Sequence, residues 1–250
     1  MKSQALRLAL GVTLFLSGFQ SIASAADDPK SLLEQSDRAR GGSKKGVSWT
    51  VKLDTTEDGD KSSTTYKVKG QGNNAHVEVV EPARSKGEVL LFNDRTIWFF
   101  KPSLKKPVAI SARQKLSGQA ANGDIASTNY ARDYTGKIVA EEKVGGEDCY
   151  VLELKSVGEN TTYDAIKYWI SKKKKLGLKA DFLSLQGKVL KSAEFTYGNS
   201  LSSEGKKFDF VSEMKITDAQ NKSNFSVMTY SSPKVESVSA SLFNVNNLLR

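Results

Sequence analysis

The chain has 250 residues, of which 38% are hydrophobic and 26% are charged, and its formal net charge is +9. This composition can build a core and is not that of a disordered tail. Cys149 is the only cysteine and His76 the only histidine, which excludes an intramolecular disulfide and the common His and Cys metal motifs. A Ser-His-Asp triad would need His76, which lies in an alternating strand pattern. We therefore expect neither enzyme activity nor a cofactor.

The first residues have the features of a cleavable secretory signal peptide. A basic start precedes an apolar run over residues 8–19, and Ala23-Ser24-Ala25 forms an A-x-A cleavage site. The run is too short for a stable transmembrane helix, and no Cys stands at the cleavage site to be acylated. The sequence predicts a signal peptide over residues 1–25 and one soluble, exported domain over residues 26–250.

After this segment, the hydrophobic pattern changes from helical to strand-like. Pro29-Lys30-Ser31 opens a short helix that Gly41-Gly42 ends, and from Val47 the apolar residues recur with a period of two. Short polar turns separate the strands, which indicates an antiparallel meander. The first series of strands is predicted at about 46–53, 63–70, 74–81, 86–93, 95–101 and 107–111. The second is predicted at about 136–144, 148–156, 163–171, 177–185, 188–197, 208–217 and 223–231.

One interval between the two series lacks the strand pattern. Ser111 and Gln114 form a capping-box pair, Gly118 is placed to end that helix, and Asn122 and Asp124 can start another. Two short helices are therefore predicted over residues 111–134. Such an insertion is either a movable lid over a cavity or a fixed crossover. At the C-terminus, the sequence predicts one short turn followed by an extended tail.

The hairpin over residues 86–101 is apolar on both faces. Val89-Leu90-Leu91-Phe92 and Ile97-Trp98-Phe99-Phe100 do not alternate, whereas a sheet wetted on one side should alternate throughout. Both faces of this hairpin therefore need cover. A helix and an apolar ligand inside a curled sheet would provide it, and the core of a sandwich would provide it equally well.

The stretch HVEVVEPARSKGEVLLFNDRTIWFFKPSLKKP (76–107) resembles the periplasmic lipoprotein carriers of the LolA type. Those carriers have strands separated by a Pro-containing and an Asp-containing turn, then an aliphatic-Trp-aromatic-aromatic strand closed by Pro. Glu81-Pro82, Asn93-Asp94, Ile97-Trp98-Phe99-Phe100 and Pro102 fit these slots in order. A longer LolA-like group, the outer-membrane lipoprotein-sorting proteins, is similar over nearly the whole mature chain. The similar stretches are SDRARGG (36–42), ISARQKLSGQAANGDIASTNYARDY (110–134), TYDAIKYWIS (162–171) and KVLKSAEFTYGN (188–199).

The resemblance implies a mainly β fold, an incomplete antiparallel β-barrel with short helices covering an apolar cavity. It also implies a periplasmic carrier that shields the acyl chains of a lipid or lipoprotein during transport toward the outer membrane. Its expected partner is an ABC-permease or RND-type inner-membrane exporter. The alternative is a non-enzymatic structural or envelope-interaction β module with no lipid cargo. A hydrolase would need a nucleophile and base that the sequence lacks, and export argues against a nucleic-acid partner.

Alternating positions on neighbouring strands supply the predicted cavity wall, although the face is ambiguous in the doubly apolar hairpin. The predicted ligand-binding residues are Val77, Val79, Leu90, Phe92, Trp98, Phe100, Tyr150, Leu152 and Phe182. The carriers secure their lid with an arginine, for which Arg84, Arg113 and Arg132 are the candidates.

The densest charge run in the chain is Lys172-Lys173-Lys174-Lys175. It lies between two predicted strands, which favours a hairpin tip. The run is either a solvated turn or an electrostatic contact with anionic lipid headgroups or an acidic partner.

Overall fold

The structure of the protein, a computed structural model, describes residues 27–126 and 129–249. The predicted signal peptide over residues 1–25 lies outside the described residues. Within the described part of the chain, no helix has the length and apolar character needed to cross a membrane.

The predicted N-terminal helix is confirmed as α1 (Pro29–Arg38). Asp28 caps it, since its carboxylate accepts a hydrogen bond from the Ser31 N–H at 3.0 Å, and Pro29 stands at the first helical position, where its missing N–H costs nothing. Leu32 and Leu33 are buried, so α1 packs its apolar side into the core.

The strands follow the period-two pattern closely. In chain order they are β1 (Val47–Glu57), β2 (Asp60–Gln71), β3 (Asn74–Glu81), β4 (Val89–Asn93), β5 (Thr96–Phe100), β6 (Val108–Ile110), β7 (Lys115–Ser117), β8 (Ala120–Ala121), β9 (Tyr134–Val144), β10 (Glu147–Ser156), β11 (Ala165–Ser171), β12 (Gly177–Leu183), β13 (Val189–Thr196), β14 (Asn199–Ser203), β15 (Lys206–Phe210), β16 (Glu213–Asp218) and β17 (Phe225–Val235). A second short helix, α2 (Tyr130–Asp133), precedes β9.

One 13-stranded antiparallel sheet contains strands of both series, in the order β6-β5-β4-β3-β2-β1-β17-β16-β13-β12-β11-β10-β9, while β14 and β15 pair in a separate two-stranded sheet. The two meanders are joined because β1 pairs with β17. The edge strands β6 and β9 do not pair with each other, so the sheet is not closed into a barrel. The predicted incomplete antiparallel barrel is confirmed.

The sheet has an inner face, which wraps around α1, and an outer face. Inner side chains from both ends of the sheet belong to one buried cluster, which also contains Leu32 and Leu33. Two smaller clusters lie on the outer face, one around Leu91 and one around Trp169. Burial of the large inner cluster is the main source of stability, because apolar area removed from water contributes roughly 25 cal/mol per Å².

Of the two helices predicted over residues 111–134, the one that Gly118 is placed to end is wrong, whereas a short 3-10 helix does begin at Asn122. The segment forms a small β7–β8 hairpin, a 3-10 helix over Asn122–Asp124 and only the single turn of α2. Ser111 and Gln114 do pair, since the Ser111 N–H donates to the Gln114 side chain at 3.2 Å, but they close a turn and not a helix. Gly118 adopts φ +53° in the hairpin turn, where a Cβ atom would lie 2.6 Å from Ser226 Oγ. Glycine is therefore needed for close approach and not as a helix stop.

Two further predictions are corrected near the C-terminus. The predicted strand 208–217 is two strands, β15 and β16, because at the break Val211 and Ser212 donate their N–H groups to Ala39 and Thr196. The predicted extended tail is instead a pair of 3-10 helices, Ala240–Phe243 and Val245–Leu249. The Ser239 hydroxyl caps the first of them by accepting from the Ser241 N–H.

Candidate ligand-binding site

Most of the predicted cavity residues lie on the inner face. Val77, Val79, Leu90, Leu152 and Phe182 are buried in the large inner cluster, and Phe92 and Tyr150 are half-buried against it. Strand alternation accounts for this placement, because neighbours in register, such as Val77 and Leu90, point to the same face. The structure therefore brings these side chains together around one interior.

Trp98 and Phe100 are corrected to the outer face. Trp98 stands opposite Leu91 and packs with it and Phe243, and Phe100 shares that face because it lies two residues further along the same strand. The inner positions of β5 are instead Ile97 and Phe99. The C-terminal tail supplies the outer cover, and the Asn93 side-chain amide fixes it by donating to the Phe243 carbonyl at 3.1 Å.

This placement gives a testable expectation for Trp98→Ala. Because the side chain is half-buried under the tail, its truncation should lower the free energy of unfolding by about 1–3 kcal/mol, less than a fully buried Trp. Amide hydrogen exchange should accelerate over residues 238–249 and stay unchanged in β12. Faster exchange in β12 with an undisturbed tail would place Trp98 on the inner face after all.

Residues 111–126 and 129–133, which we call the closure segment, cover the inner face. The segment links the edge strands β6 and β9 and reaches across to the middle of the sheet. The Gln119 N–H donates to Ser226 Oγ on β17 at 2.8 Å, and Lys191 Nζ on β13 donates to the Gln119 carbonyl at 2.6 Å. Its buried apolar residues are Ala120, Ala121, Ile125, Ala126 and Tyr130. The interior is thus closed on this side by a hairpin with mostly small side chains.

Two of the three candidate arginines fasten the closure segment. Arg113 donates to the Thr161 carbonyl at 3.0 Å and pairs with Asp164. Arg132 donates to Asp94 in the β4–β5 turn at 3.0 Å and pairs with Asp133 beside it. Arg84 instead lies exposed in the 3-10 helix Ala83–Ser85.

Arg40 is the charged residue that the sequence analysis missed. It follows α1 and is only 6% exposed, with its guanidinium carbon 4.2 Å from the centroid of the Phe195 ring and 5.1 Å from that of Tyr130. The phenolic oxygen of Tyr168 and the sulfur of Met214 accept long contacts from it, at 3.4 and 3.9 Å. The spacing of the sequence could have predicted its burial. Residues three or four apart share one face of a helix, and this spacing connects Leu33, then Ser36 or Asp37, then Arg40.

Two buried carboxyl groups, those of Asp37 and Asp124, lie near Arg40. Asp37 accepts the Ala131 N–H of α2 at 2.9 Å, while its other oxygen has no hydrogen-bond partner among the described residues. Burial raises the pKa of Asp37 to about 7, against the opposing effects of that hydrogen bond and of the Arg40 charge. Asp124 accepts from the Ala121 N–H and the Tyr163 hydroxyl, and burial raises its pKa as well. The closure segment is therefore held in part by carboxyl groups that burial disfavours as anions.

The lysine run lies at the tip of the β11–β12 hairpin, as predicted. Lys172 pairs with Glu141, Lys174 with Glu147 and Lys175 with Asp27. Because acidic neighbours already neutralise three of the four charges, the tip has less free charge to offer an anionic surface than its sequence indicates.

We describe two cavities, one on each face of the sheet. The first, of about 60 Å³, lies between the closure segment and the sheet and is lined by Arg40, Phe92, Ile97 and Tyr130 among others. The second, of about 330 Å³, lies on the outer face between the tail and the side chains of Lys69 and His76. The inner cavity is too small for an acyl chain while the closure segment stays in place.

Comparison with known proteins agrees with this architecture. A family model described as "Uncharacterized protein" matches residues 71–250. None of the curated proteins compared with the chain matches it. Two solved structures share the fold at 21% identity. One is a Vibrio parahaemolyticus domain named for outer membrane lipoprotein sorting (TM-score 0.73, covering 87% of this chain and 97% of that chain), and the other is a DUF1329 family protein from Desulfovibrio piger (TM-score 0.72, 88% and 97%).

A third solved structure is similar enough to fix the family. It is a LolA superfamily protein from Nitrosomonas europaea, with 31% identity and a TM-score of 0.77, and the match covers 87% of this chain and 98% of that chain. The matched region includes nearly all of that protein. The chain described here therefore belongs to the LolA superfamily.

Proposed function

We propose that this protein is a periplasmic carrier that shields the acyl chains of a lipid or lipoprotein between its inner face and the closure segment. The observation that carries the proposal is the way the inner face is covered. A hairpin of mostly small side chains, fastened largely by polar contacts, closes an apolar interior built from large ones. Such a cover gives up little buried apolar area when it moves, which suits reversible loading.

The free energy available from an acyl chain is sufficient for this role. Each buried methylene contributes about 0.8 kcal/mol, so ten of them give an upper limit of about 8 kcal/mol before ordering costs. A loaded state needs no catalytic group, since apolar side chains such as Phe92 and Phe182 can form the contacts. We therefore propose binding without catalysis.

The route of the cargo is a further part of the proposal. The signal-peptide pattern over residues 1–25 supports export, with residues 26–250 as a single mature domain in the periplasm. An ABC-permease or RND-type inner-membrane exporter would supply the cargo, which would then travel toward the outer membrane. The LolA superfamily membership supports this assignment at the level of a carrier fold.

One observation favours the alternative of an envelope module with no lipid cargo. The cavity between the closure segment and the sheet measures only about 60 Å³, and the inner-face side chains are buried against one another in a single cluster. On this alternative the closure segment is a permanent plug, and its polar contacts with Ser226 and Lys191 are ordinary structural hydrogen bonds.

Lipid mass spectrometry of the purified protein distinguishes the two functions. The protein is isolated from the periplasm without detergent, extracted with organic solvent and compared with a periplasmic protein of similar size purified in parallel. The carrier proposal predicts a lipid or acylated peptide at a stoichiometric level in the first extract only. Equal lipid in both extracts, or none after incubation with phospholipid vesicles, would support the envelope module.

A further inference from the structure

The guanidinium of Arg40 is buried without a carboxylate partner. Among the ion pairs of the described residues, none includes Arg40, although its side chain is only 6% exposed. Its hydrogen-bond contacts are a hydroxyl at 3.4 Å and a thioether at 3.9 Å, both longer than good hydrogen bonds. Aromatic faces and the C-terminal end of α1 compensate its charge in part. Among the described residues, the acceptors recorded for its guanidinium are this hydroxyl and this thioether, and neither is an ionised group.

The nearby acidic groups do not supply the missing counter-charge. Asp37 lies on the same side of α1, but one of its oxygens is used by Ala131 and its pKa of about 7 leaves it only partly ionised at neutral pH. Asp124 is engaged by Ala121 and Tyr163, and burial raises its pKa too. Within the described residues, Arg40 therefore has no fully ionised carboxylate as a hydrogen-bond partner.

The location of Arg40 points to the space that a ligand would enter. The residue lines the inner cavity, with Tyr130 of the closure segment on one side and Phe195 of β13 on the other. Movement of α2 away from the sheet would remove Tyr130 and leave the guanidinium facing the inner face. An amphiphile bound there would meet apolar side chains along its chain and a cation at one end.

We propose that Arg40 binds the anionic head of the ligand, so that the cargo is an acyl compound with a carboxylate or phosphate group close to its chain. This inference rests on the carrier function proposed above and specifies its ligand. Carboxylates and phosphates match the planar guanidinium, which can donate two parallel hydrogen bonds to either. A lysine would provide the charge but not this geometry.

Isothermal titration calorimetry with three ligands of equal chain length tests the head group directly. Dodecanoate, dodecyl phosphate and the neutral dodecanol are each titrated, below micelle formation and at pH 6.5, where Asp37 is mostly protonated, into the mature protein. We expect the better of the two anions to bind about tenfold tighter than dodecanol, or more, because charge-assisted hydrogen bonds are about twice as strong as neutral ones. Preference for dodecanoate would indicate a fatty acid, and preference for dodecyl phosphate would indicate a phospholipid headgroup.

Variants separate head-group recognition from closure. Arg40→Gln should remove the preference for the anion and leave dodecanol affinity within about twofold, while Arg40→Lys should keep part of it. The matched control is Arg113→Gln, which loosens the closure segment at Thr161 and Asp164 and should shift all three affinities alike. Circular dichroism checks that each variant is folded.

Two outcomes would overturn the inference about Arg40, and only one of them would also count against the carrier function. Equal affinity of the wild type for dodecanol and both anions would remove the role of Arg40 and leave the carrier proposal standing. Failure of all three compounds to bind would count against the carrier proposal itself. The comparison among ligands uses the unaltered protein, so it holds even if an Arg40 variant does not fold.

Discussion

Replacing Asp37 by Asn should make the protein more stable at pH 8 than the wild type and should remove a pH dependence that the wild type shows between about pH 4 and 7. The folded-state pKa of Asp37 is about 7, whereas an unfolded Asp has a pKa of about 3.9. The folded state therefore holds a proton in this range that the unfolded state releases. Stability is highest below about pH 4 and falls as the pH rises toward 7, by about 4 kcal/mol for this group alone.

Urea unfolding of both proteins from pH 4.5 to 8.5 measures the effect. Because other groups also titrate, the quantity to compare is the difference between the two free energies of unfolding at each pH. This difference should move in favour of Asp37→Asn as the pH rises, since Asn still accepts the Ala131 N–H but cannot ionise. Asp28→Asn, at the exposed start of the same helix, is the control. Parallel curves for wild type and Asp37→Asn would show that Asp37 is an ordinary ionised carboxylate.

Truncating Phe182 should cause the largest loss of stability among the predicted inner-face residues. Its side chain is fully buried on β12, and its ring stacks on that of Tyr163 with centroids 3.8 Å apart. Phe182→Ala should lower the free energy of unfolding by about 3–5 kcal/mol, from lost apolar burial and the cavity left behind. Tyr163 also donates to Asp124, so the closure segment should loosen with it.

Unfolding in guanidinium chloride measures this loss of stability, and two further variants serve as controls. Phe182→Leu keeps most of the volume and should cost less than about 1.5 kcal/mol. Phe208→Ala, on β15, removes a phenyl ring that is 47% exposed and should change stability by less than about 0.5 kcal/mol. A loss below 1 kcal/mol for Phe182→Ala would mean that the interior around β12 is loosely packed.

Several features of the fold follow directly from the sequence. The period-two pattern from Val47 onward and the short polar turns predict most strands within a few residues, because hairpin connections leave few alternatives for strand order. Inner-face residues such as Val77 and Leu152 are predictable because their strands alternate. Register and face are then fixed together, since a shift of one residue would turn every apolar side chain outward.

The predictions from the sequence are wrong where the local structure depends on a residue that is distant in the chain. Trp98 and Phe99 are both apolar, and only the C-terminal tail, more than a hundred residues later, decides that Trp98 faces outward. Gly118 is compatible with a helix end, but the approach of the closure segment to Ser226 makes it a hairpin turn. Arg40 is not apolar and so is not expected in a core, even though it follows the buried side of α1 at helical spacing.

We expect the closure segment to move when the inner face takes up an acyl chain. Amide hydrogen exchange, measured before and after loading with a phospholipid, tests this most directly, with residues 151–154 of β10 as an internal reference. We expect residues 111–133 to exchange faster than the reference without lipid and to change their protection on loading, while the reference stays constant. Slow exchange over residues 111–133 in both states, equal to that of the reference, would show that the closure segment is a fixed plug and would contradict the proposed carrier function.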